Sequence, residues 1–423
     1  MRTIPIVTWA LCLLSISIPL EAPDQFVVEV TAMTGALVVL ATAFDLRGCY
    51  ARLPWPAACY ALYLAALAVS FILQGGTYPA GTDLGQVGIH FLRLLTWLLL
   101  FWACTNLLRD ERNYRAGLWS LVFGCLIRAV LPLVGFARST SSKGAERVAA
   151  LGQDPNQSAQ VLAMGLLALI GLVFLQPKGP GRFRIFALGG CALLAVGIVQ
   201  TGSRGGFATA CIGGMIYLAT GKSLRLKVRN AAIGLVMLLG LGVIALQSDT
   251  MRARVEKTFQ PGDAATPGSL NLAGREIIWP IALGMFRQKP LLGWGPVTNK
   301  QEVGLRLRDP EEGPRDTHDL LLEILTASGL AGALPFIAGT WLCVLAAWRA
   351  RKGHRGAVPL AMLLAILAGN ITQNRLTWAV LWLMLAYAAA SLPDPDLADQ
   401  ASGTGSQAPS GSSLTGAPIT GPI

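Results

Sequence analysis

Charge is what this sequence has least of. Of its 423 residues only 13% are Asp, Glu, Lys or Arg, about half the usual share of a soluble domain, and 53% are hydrophobic. That balance excludes a water-soluble chain. Three histidines, far apart in sequence, argue against a histidine-built metal site. The eight cysteines (Cys12, Cys49, Cys59, Cys104, Cys125, Cys191, Cys211 and Cys343) are scattered, and no Cys-x-x-Cys occurs. They read as small buried apolar residues, neither disulfides nor metal ligands. No Gly-Lys-Ser/Thr follows Gly293-Trp-Gly295, which excludes a nucleotide loop there. No small-x-small cleavage site precedes Glu21-Ala22, so the apolar opening, residues 4–20, is expected to be a retained span.

What the sequence does have is long apolar runs. Segments such as 55–73, 90–108, 157–175 and 230–247 approach the ~20 residues that a bilayer helix needs. The pattern predicts an all-α polytopic membrane protein with about twelve spans. These are 4–20, 26–44, 55–73, 90–108, 116–136, 157–175, 185–200, 205–220, 230–247, 318–347, 357–370 and 376–391. Alternate loops are short and basic: 45–54, 108–115, 176–184, 221–229 and 349–355, the last reading Arg-Ala-Arg-Lys-Gly-His-Arg. The loops 21–25 and 74–88 contain no Lys or Arg. The positive-inside rule places the basic set, and with an even span count both termini, in the cytoplasm. Much of the +11 net charge is therefore an orientation signal, and nothing reads as a nucleic-acid arm.

Two regions are expected to leave the membrane domain of residues 1–391. Residues 248–317 form a long outer loop between spans 9 and 10, with short helices, and loops of that length carry function. The tail 392–423 is rich in Pro, Gly, Ser and Thr and reads as disordered cytoplasmic chain. Its Asp394-Pro-Asp396 imitates an Asp-x-Asp metal signature without a fold to hold one.

On this topology the least expected polar residues gather at the outer face. Arg204 sits in Thr201-Gly-Ser-Arg-Gly-Gly206, at a helix start. There it can grip an anion together with free N–H groups, Gly205 leaving room for a phosphate, or it can snorkel to lipid headgroups while the glycines allow tight packing. Arg275 opens an amphipathic segment, begun or kinked at Pro280, where it either binds an anion or pairs with Glu276 or a lipid phosphate. Asp316 or Thr317 can cap the span that follows, which would put His318 in its first turn, where the dipole favours a neutral ring able to accept a proton. A capping or interfacial histidine is the plainer alternative. Asp319 and Glu323, four apart on one face, either orient His318 or face water. Arg128 lies about 12 Å inside the span 116–136 at ~1.5 Å per residue, and an intramembrane arginine is a functional candidate by default.

These residues resemble, in order, the motifs of the O-antigen ligase and polymerase superfamily. Arg147 through Gly152 with Asp154-Pro155-Asn156 is similar to its pre-span motif, and Ser203-Arg204-Gly205 to its Ser-Arg-Gly. Arg275 stands where its long-loop arginine does, and Pro290 with Gly293-x-Gly295 resembles its Pro…Gly-x-Gly turn. His318, then nine residues between Asp319 and Gly329-x-x-Gly332, resembles the ligase histidine motif. Asp319 departs from it, since Asn, Ser or Gln usually follows the histidine. The ligase-like region runs over about 147–347.

The resemblance implies a C-type glycosyltransferase architecture and an inverting, metal-independent transfer, without cofactor, on the periplasmic face of the bacterial inner membrane. The donor would be a glycan on undecaprenyl diphosphate. Arg204 and Arg275 would hold the diphosphate and His318 would take the proton of the acceptor hydroxyl. Ser203, Gly205, Arg147, Asn156, Arg128 and Glu323 would complete the substrate site. The acceptor would be lipid A–core, making a ligase, or another glycan, making a polymerase; a protein acceptor is a third variant. A transporter is the competing class, but no internal repeat with broken half-helices stands out.

Overall fold

The computed structural model describes residues 5–21, 29–73, 84–136, 138–141, 147–175, 181–221, 223–259, 275–307, 314–353, 355–374 and 376–392. The expected disordered tail and its Asp394-Pro-Asp396 lie outside the described residues, as does His354.

Besides one 3-10 turn of helix (Thr42–Asp45), sixteen α-helices occur among the described residues. They are α1 (Pro5–Ser17), α2 (Val30–Ala41), α3 (Leu46–Cys49), α4 (Trp55–Leu73), α5 (Leu84–Leu107), α6 (Glu111–Val130), α7 (Pro155–Val173) and α8 (Gly181–Gln200). The chain continues with α9 (Arg204–Leu218), α10 (Leu224–Gln247), α11 (Asp249–Phe259), α12 (Arg275–Gln288) and α13 (Thr298–Leu307). It closes with α14 (Leu320–Ala350), α15 (Val358–Gly369) and α16 (Ala379–Ala389). One antiparallel hairpin, β1 (Arg138–Ser141) with β2 (Arg147–Ala150), lies between α6 and α7.

Each of the expected apolar segments corresponds to a helix. Among the described residues, seven helical segments are both long and apolar enough to cross a bilayer: Val30–Cys49, Trp55–Leu73, Leu84–Leu107, Pro155–Val173, Phe183–Gln200, Leu224–Gln247 and Leu320–Ala350. Their outward faces carry large apolar side chains, with Trp55 80% and Phe186 78% exposed. Such a surface is stable only against lipid tails. The protein is a multi-pass helical membrane protein.

The centre of the bundle is built from α7, α15 and α16, which are buried almost throughout. Asp154 starts α7 by accepting from the N–H groups of Asn156 and Gln157, with Pro155 in the first turn, where its missing N–H costs nothing. Ser203 starts α9 in the same way through Gly206 N–H. Helices α7 and α9 then approach closely, because Gly206 lies against Ala159 with no room for a side-chain carbon.

Two buried arginines clamp the ends of the bundle. At one end Arg355 donates to the carbonyls of Ala390 (2.9 Å) and Arg109 (2.8 Å), meets Glu111 at 3.3 Å and lies over the Tyr114 ring. Arg355 is thus a packed brace, 6% exposed, in addition to any part it has in the basic 349–355 loop. Toward the other end Arg128, 1% exposed, donates to Pro19 O, Ser158 Oγ and Ala150 O. Its planar fork meets three oxygens on three segments, which satisfies the cation inside the span and ties α1, α7 and the hairpin together.

Helix α14 is interrupted at Gly329 (φ 59°, ψ −158°). The break frees backbone groups that the Pro290–Gly295 loop takes up. Trp294 and Gly295 donate to Thr326 O and Ala327 O, while Leu330 and Ala331 donate to Pro290 O and Leu291 O. Backbone thus lies directly on backbone; a Cβ at Gly329 would stand 2.3 Å from the Leu291 carbonyl carbon. The two glycine motifs, Gly293-x-Gly295 and the one beginning at Gly329, are halves of one docking joint. It fixes α12 and α13 over the start of α14, and Ile278, Met285 and Val303 give that pair a small core of its own.

Candidate active site

The starts of α9, α12 and α14 meet around one short turn, residues 370–374, that follows α15, and the start of α7 is joined to them through the turn before α9. Arg147 donates to Thr201 O (3.0 Å) and Asn156 Oδ1 (2.7 Å), which joins the start of α7 to the turn before α9. Gly205 touches the turn itself: a Cβ there would stand 2.6 Å from Thr372 Oγ1. Arg275 Nη2 donates to Thr372 O at 2.8 Å. Leu320 N–H, at the start of α14, donates to Asn370 O at 3.0 Å, and Asn374 Nδ2 donates to Asp316 Oδ1 at 3.1 Å.

The electrostatic consequence follows from helix geometry. Each helix start carries the positive end of a dipole, which favours an anion nearby, while the first N–H groups of α7, α9 and α14 are taken up by Asp154, Ser203, Asp319 and Asn370. Arg204 and Arg275 stand on the first residues of α9 and α12, both partly exposed. Burial pulls the Arg275 guanidinium below the usual arginine range, and the nearby carboxylates of Glu276 and Asp154 draw it back up. The region therefore combines two arginines with the positive ends of helix dipoles.

His318 borders this site from the chain leading into α14. One sequence expectation is corrected here. The cap of α14 is Asp319, whose Oδ1 accepts from Leu322 N–H at 2.7 Å, and neither Asp316 nor Thr317 fills that role. His318 consequently precedes the cap and is not in the first turn. Burial raises the Asp319 carboxyl, and the N–H groups of Leu322 and Leu321 lower it again. The His318 backbone is left-handed, φ 54°, a conformation that costs a residue with a Cβ about 1 kcal/mol or more. Neighbouring contacts must hold it there.

The expected site residues divide into two sets. Arg204, Gly205, Arg275 and His318 are partly exposed around the turn. Ser203, Arg147, Arg128 and Glu323 are buried, with 8% exposure or less, and bond to other parts of the protein. Ser203 caps α9; Arg147 and Asn156 pair with each other; Arg128 braces the bundle one layer down. Sequence reasoning missed Thr372, Asn374 and Lys300. A polar turn between two apolar helices and a lysine on a polar surface helix carry no distinctive signal.

A groove of about 360 Å³ runs between α14 and α15, lined by Leu320, Ile324, Phe336, Ile337, Leu364 and Leu367 among others. Its polar rim is Asp319 and Asn370, so an apolar slot opens beside the charged site.

The fold defines a multi-pass helical membrane protein, with Arg204, Arg275 and His318 at one end of its bundle. Residues 189–337 match the family described as O-Antigen ligase. The matched segment contains Arg204, Arg275 and His318, so the resemblance read from the motifs holds over that part of the chain. No curated protein matches the chain.

Proposed function

We propose that this protein transfers a glycan from undecaprenyl diphosphate to an acceptor hydroxyl at the periplasmic face of the bacterial inner membrane. The observation that carries the reading is the meeting of three helix starts, with Arg204 and Arg275 on two of them, around the 370–374 turn beside His318. A membrane-bound pyrophosphate is the anion this arrangement suits. Twelve spans with both termini cytoplasmic would put the site outside, where such donors are consumed.

In this mechanism Arg204 and Arg275 bind the diphosphate before reaction and stabilise the charge that appears on it as the sugar–phosphate bond breaks. Fixed donors aimed at developing charge need not reorganise, and removing one typically costs about 10²–10³ in rate. His318 takes the proton of the acceptor hydroxyl, whose oxygen attacks the anomeric carbon from the face opposite the leaving diphosphate, inverting it. General-base assistance contributes about 10²–10⁴. The α14–α15 groove offers a lipid chain a slot that ends at the reacting groups.

Lipid A–core is the acceptor we favour, on the strength of the histidine motif; a second lipid-linked glycan would make the protein a polymerase. The two products separate on a gel. Reconstituted protein is given a lipid-linked glycan with lipid A–core present or absent. Glycan that moves onto lipid A–core identifies a ligase, and lengthened lipid-linked glycan a polymerase. No transfer to either acceptor would contradict the glycosyltransferase reading and favour transport.

A further inference from the structure

The strained His318 backbone raises a question that the diphosphate grip does not answer: what holds it in place? Every residue around it is tied down. Arg315 N–H donates to Lys300 O at 2.9 Å. Asp316 accepts from Asn374 and faces the Lys300 ammonium at 3.7 Å. The Thr317 carbonyl accepts from Trp279 Nε1 at 3.2 Å, and the Thr317 hydroxyl, fully buried, lies 3.1 Å from Glu323 Oε2 and 3.0 Å from Asp319 O. Asp319 is fixed by its cap bond.

Two of these ties lead to one pair. Glu323, one turn into α14 and 4% exposed, meets Lys300 Nζ at 3.8 Å through its other oxygen. Behind them Asn299 donates to Thr326 Oγ1 at 3.1 Å, which joins α13 to α14 a second time. The Glu323 carboxylate is buried at a cost that the Lys300 ammonium, 31% exposed, and the Thr317 hydroxyl offset. Here the pair grips residues 315 to 317 from α13 and α14 at once, next to His318 with its left-handed backbone.

We propose that Glu323 and Lys300, acting through Thr317 and Asp316, are positioning residues that hold His318 in reach of the acceptor hydroxyl. The inference rests on the reading of His318 as the base. Glu323, expected from sequence to bind substrate, acts from behind the histidine and does not meet the glycan. Thr317 transmits its position by a single hydroxyl.

The test compares kcat and donor KM of full-length reconstituted wild type with Thr317→Val, Glu323→Ala, Glu323→Gln and His318→Ala, each checked for wild-type elution and thermal stability. Small displacements of a catalytic group cost about 10² in rate. Thr317→Val and Glu323→Ala are expected to lower kcat by about that factor with KM within about twofold, and Glu323→Gln, which keeps an acceptor for Thr317, to recover most of it. The pH profile of Glu323→Gln should match wild type. In a His318→Ala background neither substitution should lower the residual rate further, because groups acting through one residue are not additive.

The failures are distinguishable. Wild-type turnover by His318→Ala would refute the base reading itself. With His318→Ala impaired, wild-type kcat in Thr317→Val and Glu323→Ala would refute the positioning role alone. So would a full repeated loss in the His318→Ala background, or a pH limb that vanishes in Glu323→Gln.

Discussion

Gly205 and Gly206 are adjacent in the Ser-Arg-Gly-Gly turn, yet adding the same methyl group to each should have opposite consequences. At Gly206 the new carbon would stand 2.1 Å from Ala159 Cβ, with the Ala159 backbone carbon and Cα at 3.1 and 3.2 Å. No rotation relieves a clash with a Cβ and a main chain, so α7 and α9 must separate. Overpacking of this kind costs typically about 1–3 kcal/mol, and a contact this short belongs at the upper end. Alanine recovers up to ~1 kcal/mol as the better helix former, which leaves a net loss of about 2 kcal/mol. At Gly205 the nearest atom is the Thr372 hydroxyl, 2.6 Å away, which can turn aside. The helix gain then offsets the crowding, and stability should stay near wild type. Activity should nevertheless fall, because Thr372 O is the acceptor that seats Arg275. The assay is thermal unfolding of both purified variants in one detergent, alongside glycan transfer. A Gly206→Ala protein as stable as wild type would refute the packing argument. A Gly205→Ala protein with full activity would refute the role given to the turn.

Other substitutions probe the remaining joints. Arg128→Lys and Arg128→Met should both lower the midpoint of thermal unfolding by the equivalent of about 3 kcal/mol, since neither replaces a fork meeting three oxygens, while donor KM of the folded fraction stays unchanged; a raised KM with intact stability would return Arg128 to the substrate site. Gly329→Ala should fail to yield a stable protein, because its φ is left-handed and the Leu291 carbonyl occupies the space, and a normal yield and melting curve would count against the docking joint. Glu21, 5% exposed, has its carboxyl pushed up to about 7 by burial, against an ordinary 4.5. A raised folded value means that its contribution is fully present below about pH 4.5 and is lost as pH rises through about 7. Wild type should therefore melt at a higher temperature at pH 6 than at pH 8, and Glu21→Gln should flatten that difference; an equal slope in both proteins would show that Glu21 does not titrate there.

Much of the fold was legible because its signals are physical necessities. A span must be apolar for ~20 residues, and a helix start attracts Ser or Asp, so Ser203 and Asp154-Pro155 mark the beginnings of α9 and α7 in sequence as in structure. Arg204, Arg275 and His318 stood out because charge is scarce. What the sequence could not convey is what those charges face. Arg128 and Arg147 look as conspicuous as Arg204, yet their partners, Pro19 O and Thr201 O, are main-chain oxygens with no sequence signature. The cap of α14 fell two or three residues from where it was expected, because Asp316, Thr317 and Asp319 are all good caps and only the chain path chooses among them. The turn at Thr372 and Asn374 was invisible for the same reason. It becomes a hub only when α9, α12 and α14 converge on it.

The central claim is that Arg204, Arg275 and His318 form one reacting centre. The direct measurement is single-turnover transfer from a radiolabelled lipid diphosphate-linked glycan by reconstituted wild type, Arg204→Ala, Arg275→Ala and His318→Ala. Each variant should fold, and each should lose at least about 10² in rate. The arginine variants should also bind inorganic pyrophosphate more weakly, and His318→Ala should bind it as wild type does. Variants that transfer glycan at the wild-type rate, or pyrophosphate binding that ignores both arginines, would contradict the account.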